Sequence, residues 1–145
     1  MSANRVRTCR LPFITAKNEQ GEVIGYAYCG TFRERKGYRH TVELSLFCRF
    51  DSVGKGVGAQ LLTKVIDIIK EPGEFPEYIT TPRSEDDKVR MVMACMSVDE
   101  TSWNNGLGLR DFYIRHGFEQ VGYMNKVGEK MGRWIDVCYL QLSVW

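Results

Sequence analysis

Three glycines at alternate positions, in Val53-Gly54-Lys55-Gly56-Val57-Gly58, separate a strand-like run from an amphipathic helix, and no other feature restricts the fold so strongly. Ahead of them Thr41 to Arg49 alternates, with Val42, Leu44, Leu46 and Cys48 on one side and Thr41, Glu43, Ser45 and Phe47 on the other. Period-two alternation predicts a strand. Behind them Val57, Leu61, Val65 and Ile68/Ile69 recur at helical spacing until Pro72-Gly73 stops the run. Glycine has no Cβ, so the backbone can turn tightly and a ligand can approach closely. Successive N–H groups at a helix start then cradle an anion, normally a phosphate. The junction reads as a pyrophosphate site, although many such turns are only turns. Two nucleotide patterns fail. A P-loop needs Gly-Lys-Ser/Thr, which Gly56-Val57 and Gly58-Ala59 do not supply. A dinucleotide fold puts its glycines after the first strand, with an acidic residue about 20 positions on. Here several strands precede them, and the next good strand, Val89 to Val98, comes too late.

The remainder reads as strands around two helices. Leu11 to Lys17 and Glu22 to Gly30 flank Asn18-Glu19-Gln20-Gly21 and form a hairpin. The helix Val57–Lys70 is followed by Glu71 to Asp87, an exposed loop with three prolines and six acidic residues. Arg90 to Val98 is an apolar, buried strand. A second helix, Leu107 to His116, follows Asn104-Asn105, natural N-cap candidates, and Gly117 with Phe118 suits a left-handed C-cap. Phe118 to Asn125 and Trp134 to Val144 are the last strands. The order β-β-β-α-β-α-β-β indicates one α/β domain over residues 1–145, with a mixed, mostly antiparallel sheet flanked by helices.

Charge and cysteines narrow the setting. Residues 1–55 hold ten Lys/Arg against five Asp/Glu, and residues 56–145 hold ten against thirteen. That asymmetry suits a small anionic ligand and is too weak for nucleic acid. Cys9, Cys29, Cys48, Cys95 and Cys138 are odd in number and lack a Cys-x-x-Cys spacing, so they read as reduced thiols in a cytoplasmic protein, nuclear entry remaining open. No run is long enough to span a membrane, and Met1 to Arg10 is too short for a transit peptide. His40 and His116 form no metal constellation, and no metal is expected.

This order of elements, with Phe112-Tyr113 in the second helix and Gly117-Phe118 after it, resembles the GNAT acetyltransferases. Within them the phosphinothricin acetyltransferase type is nearest. Gly25-Tyr26-Ala27-Tyr28-Cys29-Gly30, Arg33-Glu34-Arg35 and Tyr38-Arg39-His40-Thr41-Val42-Glu43 match its early strands. Gly128-Glu129-Lys130-Met131-Gly132-Arg133-Trp134-Ile135-Asp136-Val137 and Gln141-Leu142 match its G-x-K-x-G-x-W-x-D-V…Q-L run. The resemblance covers residue 10 to the C-terminus.

The resemblance implies a GNAT-like fold that is N-terminally truncated, and acetyl-CoA as co-substrate. Its contacts would come from Phe47, Cys48, Val53, Gly54, Lys55, Gly56, Val57, Gly58 and Ala59, with the pantetheine arm between the strands Thr41–Arg49 and Arg90–Val98. Asn104 or Asn105 would touch that arm, or simply cap the helix. Glu43 would be the base, since an amine must be neutral to attack a thioester. Backbone N–H groups near Phe47 would meet the oxyanion. Tyr113 would protonate the departing thiolate, or else belong to the core. Arg33, Arg35, Tyr38 and Ser45 would bind the acceptor, a guanidinium suiting a carboxylate or phosphinate, though Arg33–Lys36 also reads as a solvated loop. A homodimer is implied as well.

Three departures qualify the match. Val53 and Gly54 replace polar or basic family residues at the turn, with Lys55 as partial compensation. The family begins with a strand and two helices for which this chain has only a short segment, so apolar sheet surface is expected to be exposed. The loop Glu71–Asp87 is longer than the family norm. Two functions follow. One is an N-acetyltransferase for a small amino acid or analogue, such as phosphinothricin, methionine sulfoximine or methionine sulfone. The other is a truncated, weakly active or inactive acyl-CoA-binding or interaction module.

Overall fold

Alternation and helical periodicity resolve into six strands and two α-helices over residues 10–145, the part described by a computed structural model. Residues 1–9, which include Cys9 and most of the basic start, lie outside the described residues. The elements are β1 (Phe13–Lys17), β2 (Val23–Thr31), β3 (Thr41–Cys48), α1 (Val57–Lys70), β4 (Met91–Val98), α2 (Gly108–Arg115), β5 (Glu119–Lys130) and β6 (Arg133–Ser143). They form one sheet in the order β1-β2-β3-β4-β6-β5. Only β3 and β4 run parallel; every other pair is antiparallel.

Local chemistry accounts for the boundaries. The Asn18 carboxamide accepts from the amides of Gln20 and Glu22, both at 3.0 Å, and closes the β1–β2 turn. α2 ends as expected: Gly117 is left-handed (φ 94°) and the Phe118 amide returns to Tyr113 O at 3.0 Å. Its start differs from expectation. Asn104 and Asn105 are both left-handed (φ 53° and 56°), so neither occupies the cap; Leu107 does, without a side-chain bond. β5 also runs to Lys130 rather than Asn125. Lys126 is left-handed inside a register shift, and the Asp136 carboxylate takes its amide at 2.7 Å and the Tyr123 hydroxyl at 2.5 Å, which keeps the hairpin intact across the irregularity. Met131 and Gly132 (φ 51° and 78°) then make the tight β5–β6 turn.

Both helices cover one face of the sheet. α1 buries Leu61, Leu62, Val65, Ile66, Ile68 and Ile69 against Ala27, Cys29, Val42 and Leu44. Each fully buried aliphatic side chain contributes roughly 2 kcal/mol, so packing rather than propensity holds this helix. α2 adds Tyr113, beside the buried Phe118. The four described cysteines are unbridged and lie in strands. The opposite face carries an aromatic ladder: Phe13 stacks on Tyr26 and Tyr28 at 5.9 and 5.7 Å, and Tyr26 on Phe47 at 5.3 Å. Phe47 is 51% exposed there, and no described helix covers it.

Candidate active site

β3 and β4 pair only from Thr41↔Met91 to Leu44↔Ala94. Beyond that point Ser45–Cys48 stay with β2 and Cys95–Val98 stay with β6, so the strands part. Parting leaves backbone donors and acceptors along the two facing edges without ladder partners, and such groups require one. The Arg49 amide bonds Ile24 O at 2.8 Å, and Tyr26 pairs with Phe47 in the same register. Antiparallel pairs alternate, so Phe47 commits its own N–H to β2 while Leu46 and Cys48 point theirs into the gap.

The glycine turn sits at the mouth of this gap. Val57 begins α1, and its first backbone bond is from the Gln60 amide to Gly56 O at 3.1 Å. The six amides from Gly54 to Ala59 donate to no acceptor among the described residues. Gly54 and Gly56 are left-handed (φ 85° and 81°), and a Cβ on either would meet nothing within 4 Å. α1 has no side-chain cap and no acidic residue in its first turn, so the positive end of its dipole is unopposed. Lys55 and Val53 are exposed beside it, and Val57, Gly58 and Ala59 are half-buried. Such a turn has the donors and the space to cradle an anion. No group of three His, Cys, Asp or Glu fit to hold a metal occurs among the described residues.

On the face away from the helices, Glu43 lies where the two strands are still paired, with Ser45 one step further into the split. Glu43 is half-buried, and its carboxylate makes no hydrogen bond or ion pair among the described residues. Cys95 and Tyr139 oppose each other across β4 and β6 on the same face. The Tyr139 phenol is pushed up, first by the neighbouring Cys95 and also by Glu43, while Arg33 pulls it down. Arg33, Glu43, Cys95 and Tyr139 thus share one electrostatic neighbourhood. Sequence reading missed Cys95 and Tyr139 as site residues. Cys95 alternates with buried Ala94 and Met96, which puts it on the Glu43 side, but Tyr139 needed the strand order.

Tyr113 reaches the site from the helical face. It is 3% exposed, and burial pushes its phenol well above the usual tyrosine range. Its hydroxyl makes no hydrogen bond among the described residues. Cys48 contacts the α1 start, its Sγ lying 3.4 Å from where a Gly58 Cβ would stand.

Other expected residues are more dispersed. Asn104 donates to Asp111 at 3.2 Å, and Asn105 lines an open cleft of about 810 Å³ with Val98, Tyr123, Trp134 and Asp136. Arg33 packs over Phe32 at 5.4 Å and Tyr38 meets the same ring edge-on at 6.3 Å, while Arg35 is exposed. Asp136, to which sequence reading assigned no chemistry, is the anchor of the β5 irregularity.

Comparison with known proteins bears on this arrangement. A family model for an acetyltransferase (GNAT) domain matches residues 3–139. An L-methionine sulfoximine/L-methionine sulfone acetyltransferase of Pseudomonas aeruginosa is 37% identical over 133 residues, which are 92% of this chain and 65% of that protein. A phosphinothricin N-acetyltransferase of Alcaligenes faecalis is 33% identical over 137 residues, 94% of this chain and 59% of that protein. The chain therefore spans less than two thirds of these curated relatives. The acetyltransferase yncA of Salmonella typhimurium, solved with its cofactor acetyl-CoA, superposes with a TM-score of 0.78 at 27% identity, over 99% of this chain and 70% of that one.

Proposed function

The chain belongs to the GNAT acetyltransferase family, and from that membership we propose that it transfers an acetyl group from acetyl-CoA to the amine of a small amino acid or analogue. Methionine sulfoximine, methionine sulfone and phosphinothricin are the acceptors favoured by the names of its relatives. One observation carries the reading: the gap between β3 and β4 opens directly beside six amides that find no acceptor among the described residues. A pyrophosphate suits those amides, with Lys55 adding a cation. A thin, amide-bearing arm suits the unpaired edges of Ser45–Cys48 and Cys95–Val98. Bound there, acetyl-CoA supplies an activated thioester carbonyl.

The chain's own groups do the rest. Glu43, unpartnered and beside the split, takes the proton of the attacking amine directly or through water. The Leu46 and Cys48 amides, aimed into the gap, meet the negative charge that develops on the carbonyl oxygen. Arg33 balances the Glu43 side and, with Arg35, Tyr38 and Ser45, receives the acid group of the acceptor. Tyr113 stays protonated at neutral pH. A free thiol near 8.5 is a stronger acid than a phenol near 10, and burial widens that difference. Tyr113 therefore stabilises the departing thiolate as a hydrogen-bond donor more than it surrenders its proton.

The test is CoA release from acetyl-CoA with a panel containing the three acceptors above. Acceptor-dependent release is expected. A second reading, a weakly active acyl-CoA-binding or interaction module, is favoured by the half-buried ladder of Phe13, Tyr26 and Tyr28, which ends on the exposed Phe47. Folded protein that gains thermal stability from acetyl-CoA but releases no CoA with any acceptor would select it.

The proposal includes a reducing, cytoplasmic setting, supported by the four unbridged thiols. It also includes a homodimer, supported by exposed Val121, Val127, Met131 and Trp134 on the β5–β6 hairpin.

A further inference from the structure

The segment between α1 and β4 takes no part in the proposed chemistry, yet it is tied to the site. Its middle is anchored: Ile79 is 3% exposed, and Lys64 lies over the Phe75 and Tyr78 rings at 4.8 and 5.7 Å. Its end grips the residues that lead into β3. Arg39 Nε donates to Asp87 Oδ1 at 2.9 Å, Nη2 to Asp86 O at 3.2 Å, and Nη1 to Lys36 O at 3.1 Å. Arg83 Nη1 donates to Arg39 O at 2.7 Å and Asp87 O at 3.2 Å. His40 Nδ1 and Lys88 O are 2.6 Å apart, and the amides of Arg90 and Met91 both donate to His40 O, at 2.8 and 3.1 Å. The loop 32–40 therefore has a clamped base, while its tip carries Arg33, Arg35 and Tyr38.

We propose that the end of the 71–88 segment is a latch for the acceptor loop, with Arg39, Asp87 and Arg83 as positioning residues that hold loop 32–40 in its binding shape. The proposal rests on the reading of Arg33, Arg35 and Tyr38 as acceptor contacts. A half-exposed ion pair by itself has little effect on stability. Here one guanidinium satisfies three acceptors on two segments, using the fixed fork that lysine lacks. Ordering a loop before the ligand arrives removes an entropy cost that binding would otherwise carry. The loop's ordering therefore enters acceptor affinity, whereas the acetyl-CoA cradle lies on different elements.

Steady-state kinetics on the full chain test this. Asp87→Ala is expected to raise the KM for the acceptor about three- to tenfold, leaving kcat and the KM for acetyl-CoA within about twofold. Arg39→Lys keeps the charge but loses the fork, and restores less than half of the loss seen in Arg39→Ala. An acceptor KM that does not move, or both KM values rising together with a lower melting temperature, overturns the latch. Amide hydrogen exchange gives an independent reading. Residues 32–40 exchange faster in Asp87→Ala while residues 57–70 do not. Unchanged exchange at 32–40 overturns the latch even if acetyl transfer is established. Faster exchange in a protein that acetylates no acceptor leaves the latch standing and removes the acceptor reading.

Discussion

The turns that follow β3 and β4 are built from similar parts and serve opposite ends. Each leaves one of two neighbouring parallel strands through left-handed glycine and enters a helix. In the first, a Cβ on Gly54 or Gly56 would meet nothing within 4 Å, and six amides in a row find no acceptor among the described residues. In the second, a Cβ on Gly106 would stand 2.6 Å from Asp99 O, and one on Gly108 only 2.2 Å from the Trp103 ring, distances that only glycine permits. Its amides are occupied: Gly106 and Gly108 both donate to Trp103 O at 3.1 Å, and Leu107 to Asn104 O at 3.1 Å. Arg133 Nη2 ties the same turn to β6 through Asp99 Oδ2 at 2.6 Å. Glycine in the first turn leaves the space beside it open; in the second it lets the protein close on itself.

Substitutions can break or sharpen this contrast. The largest effect belongs to neither turn and serves as the reference for lost chemistry with both turns intact. Glu43→Gln is expected to lower kcat by about 10²- to 10⁴-fold with acetyl-CoA affinity retained, as calorimetry would report. An unchanged rate removes Glu43 from the mechanism. Gly106→Ala comes next: its added methyl meets backbone and its φ of 84° is unfavourable for alanine. A stability loss of about 3 kcal/mol, measured by denaturant titration, is expected with acetyl-CoA still bound by the folded fraction.

Gly56→Ala inverts that pattern. Its fold is expected to lose only about 1 kcal/mol for the left-handed backbone, while acetyl-CoA binding weakens about tenfold as the methyl enters the cradle. Equal losses of stability and affinity would erase the contrast between the turns. Asp99→Asn has a smaller, pH-dependent effect. Arg133 and Thr101 hold the Asp99 carboxyl well below its ordinary range. Its folded pKa is depressed, so its stabilisation is complete above the unfolded value of about 3.9 and fades as pH falls towards the folded one. The melting temperatures of wild type and variant should differ at pH 7 and converge in strong acid; a constant gap would mean that the charge is irrelevant. Gly58→Ala is expected to be smallest. Its Cβ would lie 3.4 Å from Cys48 Sγ and 3.6 Å from Phe112, in helical backbone. A helix-propensity gain of up to about 1 kcal/mol is offset by that crowding, so its melting temperature stays near wild type.

Much of this was legible in the chain. The element order, the bounds of α1 and the side of β3 that Glu43 takes all follow from periodicity and from the breakers that flank it. The open glycine turn was legible because its cause is local: glycines, a helix start and no acidic cap. The packed turn was not. Asn104-Asn105 has the composition of a cap, but Gly106 must lie against Asp99, and that approach rotates both asparagines into left-handed backbone away from the cap. The 71–87 segment reads as an exposed loop because proline and acidic residues dominate it. Ile79 and the Arg39 contacts pin it through partners distant in sequence.

By itself the sequence determined the family, the strand–helix order and the presence of a glycine turn ahead of an uncapped helix, since these depend on near neighbours and on hydrogen-bonding groups carried by the backbone. Only the tertiary structure decided that β3 and β4 separate after Leu44 and Ala94, that Cys95 and Tyr139 join Glu43, and that one glycine turn stays open while the other is filled. Strand partners are chosen by the burial of whole faces, and the space above a glycine is set by whatever packs there, so neither quantity is written in any short stretch of chain.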